Sequence, residues 1–182
     1  MATFSRNIKI DMDWLGDDRF EICGQLDDTV HSVTARLELS FPGYTILTAT
    51  GEITRMPYPG YCQGAYAAIS KLVGEKIGRG FRKRLSDLSN GADSCNHLHT
   101  LVLDMSVCAF QMNYYAGQRR PEVVAMFEAV KGDHGKRREL VLARIPQLRN
   151  TCYLFSEKSD ALFVTSDAPT NPDETRSDNA GD

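Results

Sequence analysis

Apolar and polar residues alternate most regularly over residues 33–41, where Val33, Ala35, Leu37, Leu39 and Phe41 interleave with Thr34, Arg36, Glu38 and Ser40. A period of two describes a strand with one buried and one wet face. Residues 19–26 repeat the pattern, with Phe20, Ile22 and Leu26 on one side and Glu21 and Gln25 on the other. Residues 44–54 predict a third strand with Leu47, Ala49 and Ile53 facing inward, and Ile8 and Ile10 predict a short edge strand before them. Gly16-Asp17-Asp18, Asp27-Asp28-Thr29 and Pro42-Gly43 are turn signals between these runs. Short turns between successive strands imply an antiparallel meander of three to four strands, with Trp14 packed onto it.

The period changes after the stiff connection Met56-Pro57-Tyr58-Pro59-Gly60. Residues 61–73 predict a helix with Tyr66, Ile69, Leu72 and Val73 buried, stopped by Gly74. Ile77-Gly78-Arg79-Gly80-Phe81 then turns into a short helix over residues 82–88. Residues 89–94 read as a loop ending in good N-cap residues. A long helix follows over residues 95–115, because Leu98, Leu101, Val102, Met105, Cys108, Ala109 and Met112 fall at helical spacing. It is expected to lie across the sheet. Pro121 opens a further helix with Val123, Val124, Phe127 and Val130 inside, and residues 136–145 predict another. Residues 151–155 read as a late strand or extended cover, and from Ser166 the chain carries no large apolar residue. The expectation is an α+β fold: one domain over residues 1–165, its meander packed against three to five helices, and a disordered polar tail over residues 166–182.

Composition narrows the function classes. The formal charge of −3 argues against a nucleic-acid binder driven by global charge. No apolar run approaches the roughly 20 residues of a membrane span, and the first residues lack the apolar centre of a signal peptide. No membrane association and a cytoplasmic location are the expectation. Five cysteines at irregular spacing do not resemble a disulfide framework.

The candidate chemistry lies between Tyr58 and Gln111. Cys62 and Cys95 are each predicted at the first turn of a helix, where unpaired N–H groups and the helix dipole favour thiolate, the metal-binding and nucleophilic form. His97 lies two residues past Cys95, and His31, just before the central strand, can reach the same end of the sheet. Cys62, Cys95, His97 and His31 together would suit zinc or an iron–sulfur cluster. The competing reading is burial, to which Cys108, Cys23 and Cys152 are assigned. C-x-H is a weaker signature than paired CxxC. His99, on another helical face, and His134, in a polar turn, are expected to be exposed. Asp27 and Asp28 are expected to serve a turn, with orientation of His31 or cation binding as the alternative. Arg79 and Arg82, beside Lys83 and Arg84, are candidates for holding an anion such as phosphate, carboxylate or a coenzyme A tail, against the reading of a solvated basic face. Lys136, Arg137, Arg138, Arg144 and Arg149 form a second basic set read the same way. G-x-S-x-G, HExxH and EF-hand patterns are absent from the sequence.

His31-Ser-Val-Thr-Ala-Arg-Leu, Tyr58-Pro59, Cys62, Leu72-Val73-Gly74, Ile77-Gly78-Arg79-Gly80-Phe81 and Cys95-Asn96-His97-Leu98 occur in an order that resembles a bacterial family known as domain of unknown function 2889. The resemblance covers roughly residues 6–155 and implies a role for the histidines and cysteines without naming a reaction. Ser94 stands where that family's pattern has a glycine. The order of strands and helix-opening cysteines is also similar in layout to U-type iron–sulfur scaffold proteins, although Cys62 lacks their Gly-Cys-Gly context. Three functions follow as expectations. The first is a metal-binding accessory or scaffold protein using zinc or an iron–sulfur cluster. The second is a small catabolic enzyme with Cys95 or His31 as catalytic nucleophile or base and an anionic, carboxylate or acyl-CoA-like substrate. The third is a structural module, or an interaction module for a protein partner, in which the cysteines are merely buried.

Overall fold

Backbone pairing joins the alternating stretches into one four-stranded antiparallel sheet in the computed structural model, which describes residues 3–89 and 94–163. Its strands β1 (Arg6–Gly16), β2 (Arg19–Asp28), β3 (Ser32–Ser40) and β4 (Ile46–Arg55) lie side by side in chain order. The expected short edge strand is eleven residues long, because it pairs along the whole of β2 from Arg6↔Asp28 to Gly16↔Arg19. The β1–β2 turn places Asp17 and Asp18 at φ of 47° and 52°. This is the twist a two-residue hairpin needs, and aspartate tolerates it.

Phe20, Ile22, Leu26, Val33, Ala35, Leu37 and Leu39 are fully buried on one face. Cys23, expected in the core, is half-buried on the opposite face, since it follows Ile22 by one residue on a strand. In β4 the predicted inward set is corrected. Leu39 pairs with Ile46 and Glu38 with Thr48, so Leu47 is the extra residue of a bulge. The bulge turns Ile46 inward and leaves Leu47 39% exposed.

A row of small residues shapes the inner face. Gly24, Ala35 and Gly51 are cross-strand neighbours. A Cβ on Gly24 would lie 2.6 Å from Met105 Sδ, and one on Gly51 would lie 2.8 Å from the Tyr66 ring. The row is a trough into which the covering segments settle.

The sheet is followed by a 3₁₀ helix (Cys62–Leu72), α1 (Phe81–Ser89), α2 (Asn96–Ala109) and α3 (Met112–Gln118); the 3₁₀ helix and α2 are the ones seated in the trough, and α1 packs on both. Residues 62–72 form a 3₁₀ rather than an α-helix. Tyr66, Ile69 and Leu72 are buried at a spacing of three, the repeat that keeps side chains on one face of a three-residue turn. Val73, expected in that stripe, is half exposed because it already has extended backbone. α2 packs on β2 and β3 with Leu98, Leu101, Val102, Met105 and Ala109 buried, as predicted. The expected single helix to residue 115 is divided at Phe110 and Gln111. There Gln111 N–H bonds the Cys108 carbonyl and Asn113 N–H bonds that of Phe110, three residues back rather than four.

The chain divides into two compact units, residues 1–116 and 117–182. The second contains α4 (Pro121–Glu128) and α5 (His134–Arg144), then 3₁₀ turns at Pro146–Leu148, Tyr153–Phe155 and Glu157–Phe163. In α4 Val123 is buried, whereas Val124, expected inside, is exposed. Arg138, placed by sequence in a solvated basic cluster, is 7% exposed. It donates to the Leu154 and Ser156 carbonyls at 2.6 and 3.0 Å and pairs with Asp160. A buried guanidinium thus gathers the closing turns. Residues 153–155 form one of those turns instead of a strand, and Cys152, expected to be structural, is exposed. The expected tail from residue 166 lies outside the described residues. Among the described residues no helix is long and apolar enough to cross a membrane.

The trough yields a prediction. Gly51→Ala forces the rigid Tyr66 ring off the sheet, which costs about 1–3 kcal/mol. Urea unfolding measures this; unchanged stability would contradict the close approach.

Candidate functional site

The β2–β3 hairpin is held by one carboxylate. The Asp28 side chain is fully buried. Its Oδ1 accepts the backbone N–H of Val30 at 2.9 Å and of His31 at 2.7 Å, the Asx geometry that closes a turn. Its Oδ2 accepts two N–H groups of Arg6, at 3.0 and 2.6 Å, from the opposite position on β1. From the other side Arg55 of β4 donates to Asp27 Oδ1 at 2.7 Å, to the His31 carbonyl at 3.2 Å and to the Asp28 carbonyl. The hairpin is clamped from both flanks. Burial opposes ionisation of Asp28, but the Arg6 guanidinium, the two N–H groups and the His31 ring outweigh it. Together they hold the carboxyl well below the usual range.

His31 Nδ1 lies 3.3 Å from Asp28 Oδ1. With Nδ1–H donating to the carboxylate, Nε2 carries the free lone pair. The start of α2 brings the second imidazole. Cys95 is the N-cap and makes no side-chain capping bond, and His97 is in the first turn. Burial of Leu98 and Leu101 fixes α2 on the sheet. The His31 and His97 rings stack with centroids 3.8 Å apart and planes at 28°. Cys95 Sγ lies 3.7 Å from His97 Nδ1. Donor atoms of Asp28, His31 and His97 all fall within 4.8 Å of one another. Burial, then the neighbouring His31 and Arg6, lowers the His97 pKa, against a smaller opposing pull from Asp28. A lowered value favours the neutral ring, the form that coordinates a metal. The Tyr66 hydroxyl is buried without a partner among the described residues. Burial, and then the charge of a Cys95 thiolate, push its pKa up.

A cleft of about 910 Å³ opens on this cluster. His31, His97, Cys95, Cys62 and Ser94 line it, together with Ile53, Pro57 and Ala65. Tyr58 and Tyr61 also line it, and they are 69% and 85% exposed. All four residues of the expected ligand set therefore reach one cleft. The structure joins His31 and His97, sets Cys95 beside His97, and leaves Cys62 and Cys95 outside the three-residue group.

Asp28 is the residue that sequence reading undervalued. The spacing Asp-x-x-His was the available signal, and it serves both the turn and the imidazole. Arg6 gave no local signal, since only strand pairing brings it to Asp28. Arg79 and Arg82 are exposed and do not line the cleft. Their neighbour Arg84 is engaged instead, donating to Glu75 at 2.6 Å and to the carbonyls of Lys76 and Arg79 across the glycine turn. His99, expected to be exposed, is half-buried with Nδ1 2.8 Å from Ser89 Oγ. His134 is exposed as expected. Cys108 is half-buried, and burial with nearby Asp104 pushes its thiol pKa up, which favours an inert role. Of the expected capping loop, residues 90–93 lie outside the described residues.

A family model described as "Protein of unknown function (DUF2889)" matches residues 4–111, more than half of the chain, and the chain belongs to that family. The match spans Arg6, Asp28, His31, Cys62, Cys95 and His97. No curated protein and no solved structure matches the chain, so the layout likeness to U-type iron–sulfur scaffolds gains no support from them.

The clamp has a pH signature. The Asp28 pKa lies below its ordinary value of 3.8, so its contribution to stability is fully present above that value. It is lost as pH falls through the lower folded value. Asp28→Asn should unfold at lower urea concentration at neutral pH and lose less further stability below pH ~4. Identical acid dependence in variant and wild type would contradict the clamp.

Proposed function

We propose that the protein binds a single divalent transition metal, zinc or iron, through His31 and His97, with the Cys95 thiolate as third ligand. The observation that carries this reading is the convergence of Asp28, His31 and His97 donor atoms within 4.8 Å, with Cys95 Sγ 3.7 Å from His97. Both Asp28 oxygens already accept hydrogen bonds, so Asp28 orients His31 and balances charge, as carboxylates behind ligating histidines do. One adjacent thiolate and two imidazoles favour a mononuclear ion over an iron–sulfur cluster, which is held mainly by several cysteines.

The cleft bears on the role. Structural zinc sites are closed by four protein ligands, whereas catalytic ones keep a position for water or substrate. Three ligands beside a cleft of about 910 Å³ favour a centre that acts on a small molecule. Such a metal would act as a Lewis acid or lower the pKa of bound water. The contact between Cys95 and His97 also supports a second reading, a metal-free enzyme in which His97 activates Cys95 as nucleophile.

Metal content of anaerobically purified, untagged protein separates the two. Near-stoichiometric zinc or iron is expected in the wild type and should be lost in His97→Ala and much reduced in Cys95→Ser. Affinity should fall on acidification, as protons compete for the ligand atoms, with His97 resisting protonation because burial lowers its pKa. Metal-free wild type with an intact fold, inactivated by a thiol reagent, would sink the metal reading and favour the nucleophile.

A further inference from the structure

We propose that the cleft beside His31 and His97 takes a neutral aromatic molecule carrying one oxygen substituent, a phenol or an aryl carbonyl compound, rather than a carboxylate or an acyl-CoA-like anion. The inference rests on the proposed function only for treating this cleft as the working site.

Three observations converge on it. The first is the absence of a cation. Among the described residues, none lining the cleft is a lysine or an arginine. The nearby guanidinium of Arg6 is committed to Asp28 through two hydrogen bonds, and Arg84 to Glu75. In the metal-free cleft a carboxylate would lose water without gaining an ion-pair partner from the protein. The second is the aromatic wall. Tyr58 and Tyr61 present most of their surface to solvent at the cleft, joined by Pro57 and Ile53. Exposed rings at a site of this volume suit a planar apolar ligand. The third is the unpaired hydroxyl. Ser94 lines the cleft with the two imidazoles, and its buried Oγ has no hydrogen-bond partner among the described residues. A buried donor of this kind is satisfied by a ligand oxygen. That oxygen would sit beside His31 and His97, where a bound metal could also reach it, while the ring lies against the tyrosines.

Isothermal titration with 4-methylphenol and with 4-methylbenzoate, on zinc-loaded and metal-free protein, tests the class. On the metal-free protein saturable binding of the phenol is expected, at least about tenfold tighter than the benzoate. One aromatic contact corresponds to about threefold to tenfold in affinity, so Tyr58→Ala and Tyr61→Ala should each weaken phenol binding by that factor. Ser94→Ala, which removes one unpaired oxygen and no hydrogen bond, should weaken it similarly. Benzoate binding the metal-free protein as tightly as the phenol would overturn the proposal. So would the absence of saturable phenol binding, or tyrosine variants that bind normally. Phenol binding in protein that takes up no metal would support the ligand class while the metal reading fails. Zinc-loaded protein indifferent to the phenol would do the reverse.

Discussion

A buried carboxylate must have all its charge answered, and in this protein the answer organises one whole end of the sheet. Asp28 draws Arg6 from the neighbouring strand, the amides of Val30 and His31 from its own turn, and the His31 ring. Removing a partner from such a set strands a buried charge, which is why these groups behave as a unit. The same hydrogen bonds that close the hairpin also aim an imidazole. Fold and site therefore share their most constrained residue.

The second constraint is steric. Gly24, Ala35 and Gly51 form a shallow row across the sheet, and Met105 and Tyr66 occupy it. Close seating sets the height of α2 and of the 3₁₀ helix above the strands. That height carries His97 to His31 from α2 and brings Cys62 to the cleft from the 3₁₀ helix. Glycines in strand interiors normally weaken a sheet; here the space they leave is filled by the elements that carry the site.

The α+β architecture was legible because its signals are local. Alternation in β2 and β3, and the helical stripe of α2, each point to one face. What local pattern could not supply was register. The bulge at Leu47 exchanges an inward and an outward residue, and it arises from pairing with β3 rather than from β4's own sequence. Burial of Arg138 likewise depends on carbonyls some sixteen residues away, at Leu154 and beyond. In the site, His31, His97, Cys95 and Cys62 could be gathered from turn and cap positions, and all four reach the cleft. Arg6 and the full role of Asp28 could not, because they become partners only through the β1–β2 register. Arg79 and Arg82 stay exposed outside this cleft, and the glycine turn they flank is braced internally by Arg84.

The chemistry that emerges is a pair of stacked imidazoles, one oriented by a buried carboxylate and one beside a thiol, facing an aromatic-walled cleft whose described lining holds no lysine or arginine. Cobalt(II) titration followed by visible absorption probes this centre most directly, because d–d bands report the coordination geometry of the bound ion and a near-ultraviolet charge-transfer band reports thiolate. The account predicts saturation at one equivalent, with d–d bands that vanish in His31→Ala and a charge-transfer band that vanishes in Cys95→Ser. Folded wild-type protein that develops no saturable cobalt spectrum would contradict it.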